Sequence, residues 1–280
     1  REGHGTHCAG IVAALNNSVG VVGVAPQVRL WAVKVLADDR SGYVSDVIQG
    51  LEWCVDNGIE IVSMSFAGEF SQALGEACDV ACEAGLLLVA ASGNDGVAVG
   101  YPAAYDSVIA VSAVDAADRL AAFSSVGPAV ELTAPGVDIR STYRDGGYAS
   151  FSGTSMACPH VAGVAALVWA SPSLAIHSAA GVRARLRATA EKLPSFSAAQ
   201  VGYGLVQAEK AALPPAVVDL AVTEIRVANL VVRGDSIDVM ATVENVGNRN
   251  CAAGVTVTLV RKGAGAAIGT NKTTESLSPG

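Results

Sequence analysis

Up to about residue 212, short β-rich apolar runs alternate with helical stretches, and then the alternation stops. That rhythm is the tightest constraint on how the chain folds. Strand candidates fall at 28–35, 59–65, 86–91, 108–114 and 130–134. Residues 46–57 and 72–84 read as amphipathic helices closed by Gly58 and Gly85. A long apolar helix over 155–170 ends before Pro172. Strands separated by helices predict an α/β fold, with a mostly parallel sheet and helices on both faces. Crossovers in such a sheet are right-handed, and its ligand site lies beyond the carboxyl ends of the strands.

Leu213-Pro214-Pro215 breaks the rhythm. Residues 1–212 therefore form one domain, 213–216 a linker and 217–280 a second module. Strand-like runs at 219–227, 236–244 and 254–260, with polar turns such as Asn245-Val246-Gly247-Asn248, predict a partial antiparallel β-sandwich there. Hydrophobic residues are 51% of the chain and charged ones 16%, which excludes a disordered polymer and allows a sizeable core. The net charge of −8 excludes a basic nucleic-acid footprint. The apolar runs at 85–91 and 161–170 are far shorter than the ~20 residues of a membrane-spanning helix. The sequence starts at Arg1 and stops at Gly280 as though cut, so the lack of a signal peptide says nothing against secretion. The six cysteines do not have the spacing of a small stapled domain. Cys78 and Cys82, four apart on a helix, lack the second pair that a zinc site needs. The redox compartment stays open.

Three segments carry chemistry: His4-Gly5-Thr6-His7-Cys8-Ala9-Gly10, Ala90-Ala91-Ser92-Gly93-Asn94-Asp95-Gly96, and Gly153-Thr154-Ser155-Met156-Ala157-Cys158-Pro159-His160. Ser155 falls at the start of the long helix, where unpaired N–H groups and the positive dipole end favour a developing oxyanion. It reads either as a nucleophile served by a base or as a helix cap. His4, opening a small-residue helix over 6–15, can face a cleft as a general base. His4 and His7 as a metal pair is the weaker reading, because no third ligand follows. His7 and His160 read as packed structural residues. Asn94 ends a buried strand and reads as an oxyanion donor or as a turn residue.

Taken together and in this chain order, the three segments resemble the subtilisin-like serine proteases (subtilases), over about residues 1–212. The elbow of α/β-hydrolases does not fit, because Ala157 stands where its last glycine belongs. The resemblance implies a subtilisin-like fold and a serine endopeptidase with Ser155 as nucleophile, His4 as base and Asn94 as oxyanion donor. It implies that Ser41, Gly42 and Tyr43 form an edge that pairs with an extended substrate, with Ser65, Phe66 and Ala67 opposite. Ala91, Ser92 and Gly93 would form the far wall of the primary specificity pocket. Alanine at 67, where the family usually has glycine, alters that pocket, and the small walls favour a broad, mainly apolar preference. Residues 15–21 are similar to the family's calcium loop, with the Asn17 side chain and the carbonyls of Leu15, Val19 and Val21 as Ca2+ ligands. The remaining ligands of that loop, and the catalytic Asp of an Asp-Ser/Thr-Gly motif, would lie upstream of Arg1. The 280 residues on their own are therefore expected to be essentially inactive. Cys8 resembles the thiol of proteinase K-like subtilases and implies mercurial sensitivity, which unchanged activity after mercurial treatment would contradict. The bland alternative for Cys8 and Cys158 is a pair of small buried hydrophobes.

Asp219-Leu220-Ala221-Val222, Gly234-Asp235-Ser236 and Val243-Glu244-Asn245-Val246-Gly247 resemble bacterial adhesion-related β-sandwich domains of the CARDB type. The resemblance implies an extracellular or cell-surface protein. Its partners would be peptide or protein substrates, with a possible cell-surface or substrate contact through the C-terminal module. Two other functions are weighed: a subtilase-fold acyl transferase or macrocyclase, and a protease-like binding protein that has lost activity.

Overall fold

The computed structural model describes residues 3–39 and 41–214, together with the backbone of four strands after residue 219. By contact density the chain divides into residues 1–214 and 215–280.

The first unit is built on four parallel strands: β1 (Ile61–Met64), β2 (Leu87–Ala91), β3 (Val108–Val114) and β4 (Val130–Pro135), adjacent in that order. Helices α1 (His4–Ala13), α2 (Val44–Asp56), α3 (Gln72–Glu83), α4 (Thr154–Ala170) and α5 (Ala179–Thr189) surround it, followed by short α6 (Ala198–Val201) and α7 (Ala208–Ala212). All of β2 and β3 is buried, which is why both runs are apolar without alternation. Successive side chains point to opposite faces of a strand. Leu87, Val89, Ala91, Ile109 and Val111 accordingly pack in one core with α4 and α5. Leu88, Ala90, Val108 and Ala110 pack in another, with Val47, Leu51 and Cys54 of α2 and Leu74, Cys78 and Ala81 of α3. Helices cover both faces, as the alternation predicts.

Residues 28–35 are not a strand. A strand exists by its ladder, and among the described residues this segment has none. A cavity of about 1440 Å³ lies between it and β1, lined by residues 28–38 on one side and 59–66 on the other. Leu30, Trp31 and Val33 are left exposed, and Trp31 meets Trp53 edge-on at 5.8 Å.

A hairpin of β5 (Ile139–Thr142) and β6 (Tyr148–Phe151) lies beside α1, antiparallel, with Ile139 opposite Phe151. Gly10 of α1 seats against it so closely that a Cβ would stand 2.4 Å from Ser141 Oγ. The Ser141 hydroxyl donates to the His7 carbonyl at 2.8 Å, and the Thr142 hydroxyl to Thr6 at 3.0 Å.

The second unit contains β7 (Leu220–Val227), β8 (Val239–Asn245), β9 (Thr256–Val260) and β10 (Ala267–Lys272). β7 pairs antiparallel with β8, and β9 with β10. The starts of the expected strands (219, 236–238 and 254–255), the expected turn after Asn245, Cys251, and positions 215–216 of the linker lie outside the described residues. Among the described residues no helix is long and apolar enough to cross a membrane, and Cys8, Cys54, Cys78, Cys82 and Cys158 form no disulfide with one another.

Candidate active site

α4 starts at Thr154, so Ser155 is its second residue. Its N–H is among those an α-helix cannot pair internally. Four residues on, Pro159 sits inside the helix. Proline has no N–H to give, so the Ser155 carbonyl is also released from the helix ladder. That carbonyl accepts the Ser65 hydroxyl at 2.9 Å and the Cys8 thiol at 3.4 Å. The Ser155 hydroxyl donates to the Ser65 carbonyl at 3.2 Å. Serine 155 is thus fastened on both sides to the chain just after β1.

α1 packs against α4. It opens after Gly3, whose φ of 82° is left-handed and whose missing Cβ would meet the Tyr143 ring at 2.6 Å. His4, the first helical residue, is partly exposed. One turn along, the Cys8 sulfur lies 4.0 Å from His4 Nδ1 while it reaches the Ser155 carbonyl. Cys8 therefore stands between the two residues assigned as base and nucleophile.

β2 is followed by Ser92 and Gly93. Gly93 has φ 115°, and a Cβ there would lie 2.8 Å from Ser125 Oγ. This turn presents Asn94, exposed at the surface. Asn94 Oδ1 accepts from the Thr154 N–H at 2.8 Å and the Thr154 hydroxyl at 3.0 Å. A Cβ built on Gly153 would lie 3.5 Å from Asn94 Nδ2, 3.6 Å from its Oδ1 and 3.7 Å from Ser155 N, so the Asn94 amide lies beside the first turn of α4. With Oδ1 engaged by Thr154, Nδ2 is the donor that Asn94 has left, and together with the nearby Ser155 N–H it can serve a developing oxyanion.

The other candidates divide into two groups. Ser65, Phe66 and Ala67 follow β1, while Ala91, Ser92 and Gly93 close β2. Both groups lie at the carboxyl end of the sheet next to Ser155. Ser41, Gly42 and Tyr43 form an exposed extended lead into α2, with Tyr43 78% exposed. Their hydrogen bonds are local: Ser41 donates its N–H and hydroxyl to Asp39 and its carbonyl receives the Ala37 N–H. In the 15–21 loop, Asn17 Oδ1 accepts from the Val19 N–H at 2.8 Å and the Leu15 carbonyl from the Asn17 N–H at 3.0 Å. Among the described residues no cluster of His, Cys, Asp or Glu suits a metal ion.

His7 is fully buried, stacked on Phe151 at 4.5 Å, with Nε2 at 3.0 Å from the Ala149 carbonyl. His160 has Nδ1 at 2.8 Å from the Met156 carbonyl. Burial lowers the pKa of both below the ordinary 6.5. Both are structural, as their positions inside helices predicted. Burial, joined by the charge of Cys8, pushes the Cys158 thiol up to about 12. Sequence reasoning missed the roles of Thr154, Ser65 and Pro159. The signal for the last was present, since a proline four residues after a helical serine frees that serine's carbonyl.

Residues 1–204 match the profile of the Subtilase family of S8 peptidases. The chain is 50% identical over 219 residues to subtilisin DY of Bacillus licheniformis, which covers 75% of this chain and 78% of that protein. It is 50% identical over 213 residues to a thermostable alkaline protease of Halalkalibacterium halodurans, covering 75% of this chain and 58% of the other. Against subtilisin BL of Lederbergia lenta the identity is 48% over 213 residues, covering 75% and 77%.

Proposed function

The chain belongs to the subtilase family, and from that premise we propose how its residues divide the work of a serine endopeptidase. Ser155 Oγ attacks the scissile carbonyl carbon and passes its proton to His4. The carbonyl oxygen, now negative, is held by Asn94 Nδ2 and the Ser155 N–H. The C–N bond breaks as His4 returns the proton to the leaving amine, leaving an acyl ester on Ser155. Water, deprotonated by His4, then cleaves the ester to a carboxylate and restores the serine. Ser41, Gly42 and Tyr43 pair with an extended peptide on one side, and Ser65, Phe66 and Ala67 on the other. The observation that carries this reading is the double hold of Thr154 on Asn94 Oδ1, which fixes the asparagine amide beside the start of α4, where Ser155 stands.

Hydrolysis is favoured over acyl transfer and over a binding role because the similar proteins are named as subtilisins and proteases. Digestion of a protein substrate in heavy-oxygen water tests this. The new C-termini are expected to carry the heavy isotope, and the Ser155→Ala variant to produce none. Ligated products without isotope uptake would contradict it.

The Asn17 side chain and the carbonyls of Leu15, Val19 and Val21 supply part of a Ca2+ shell, which needs about six to eight oxygens. They are neutral, so bound calcium would add stability rather than chemistry. Calcium is expected to raise the Tm of the protein carrying this chain and to do so less in Asn17→Ala; an unchanged Tm contradicts the assignment. The location is read as extracellular, as the resemblance to the subtilases implies. Residues 217–280 are read as part of a CARDB-type sandwich that contacts cell surface or substrate; the two antiparallel ladders are compatible with it.

A further inference from the structure

We propose that Ala67 floors the primary specificity pocket and restricts this enzyme to small side chains at the residue whose carbonyl is attacked. The inference rests on Ser155 being the nucleophile and names the substrate class of that same site.

The pocket follows from how two strands part. β1 and β2 are paired in register as far as Met64 opposite Ala90 and Ser63 opposite Val89. Beyond that point no hydrogen bond joins 65–68 to 91–93 among the described residues, and the ladder ends. The far end of the gap is stitched by the segment after Val99. The Gly100 N–H donates to the Ser92 carbonyl at 2.9 Å on one wall. On the other wall, Gly68 and Tyr101 exchange two backbone hydrogen bonds, at 2.7 and 3.1 Å. The result is a slot with two backbone walls and a backbone floor. Ser155 stands at its mouth, with its hydroxyl on the Ser65 carbonyl. A side chain adjacent to the attacked carbonyl has this slot to enter.

The floor is where this chain is peculiar. A Cβ built on Gly100 would stand 3.0 Å from the Ala67 methyl and 3.6 Å from the Gly68 carbonyl oxygen. The Ala67 methyl is therefore pressed against the Gly100 backbone while still exposed to solvent. It occupies the depth into which a long or aromatic side chain would reach. Glycine at 67 would leave that depth open. A pocket distinguishes substrates differing by about one methylene by about 10- to 200-fold, so one methyl at the floor is enough to reorder preferences.

The test uses blocked peptide p-nitroanilides that differ only in the residue before the anilide: Ala, Leu or Phe. The protein carrying this chain is expected to cleave Ala with the highest kcat/KM. Ala67→Gly is expected to raise the Phe-to-Ala ratio of kcat/KM by about tenfold or more. Gly100→Ala, which adds a second methyl at the floor, is expected to lower cleavage of Leu and Phe further. A protein that already prefers Phe, or an Ala67→Gly ratio within about twofold of the original, overturns the proposal and leaves the endopeptidase reading standing. Cleavage of no substrate, with no fluorophosphonate labelling of Ser155, overturns both.

Discussion

Three residues around Ser155 show how much of the chemistry is set up by backbone accounting. Pro159 removes the amide that would have capped the Ser155 carbonyl, and Ser65 and Cys8 take its place. Thr154 uses both its N–H and its hydroxyl to hold Asn94 Oδ1. An asparagine on a glycine turn is otherwise mobile about two torsions, and an oxyanion donor works only if it is fixed before the charge develops. Thr154→Val keeps the shape and the N–H but removes one of the two bonds. A net hydrogen bond of about 1 kcal/mol corresponds to a fall in kcat of about fivefold, with KM nearly unchanged. Steady-state kinetics on one peptide substrate measures both constants. A KM effect with unaltered kcat would mean that Thr154 supports binding rather than Asn94.

At the scale of elements, α1 and α4 form the two sides of the site, and each carries an imidazole withdrawn from water, fully buried in His7 and half-buried in His160. His7 of α1 lies under the β5–β6 hairpin, and His160 of α4 is hydrogen-bonded within its helix. Burial holds both below the ordinary 6.5. In the folded protein they stay neutral as the pH falls through 6.5, while the unfolded chain takes up their protons. Stability is therefore level with respect to these groups above that pH and declines below it, by up to about 1.4 kcal/mol per pH unit for each imidazole. The urea midpoint is expected to fall between roughly pH 7.5 and roughly pH 5.5. A constant midpoint over that window would show that neither histidine is held neutral. A different electrostatic device fixes α5 to β4. Burial pushes the Glu131 carboxyl up, but hydrogen bonds and charge from Arg183 and Arg187 outweigh it and hold the group ionised. Removing one partner of such a buried set costs more than the set contributes, because it strands a charge.

For the molecule as a whole, the elements legible in the sequence are those with dense apolar patterns. β2, β3 and α4 are buried almost throughout, and their runs of Val, Leu and Ala say so directly. Residues 28–35 carry the same pattern and are not a strand, since composition reports the wish to be buried and not the existence of a ladder partner. The β5–β6 hairpin escaped because its four-residue strands contain Arg140, Ser141, Thr142 and Ser150 and fully bury only one of their eight positions. α5 escaped because only Ala179, Val182 and Leu186 are buried beneath three arginines, although Ser178 caps it in plain sight. In the site, His4, Ser155 and Asn94 were legible as motifs. The hold of Thr154 on Asn94, the bonding of Ser65 to Ser155 and the Gly100 floor were not, because each acts through contacts between segments far apart in sequence. The central claim is that these distant segments assemble an activated serine. Labelling the protein carrying this chain with a fluorophosphonate probe, beside Ser155→Ala and His4→Ala, tests it most directly. The account predicts covalent labelling that is lost in both variants; a folded protein that takes no label, or one that labels equally well without His4, would contradict it.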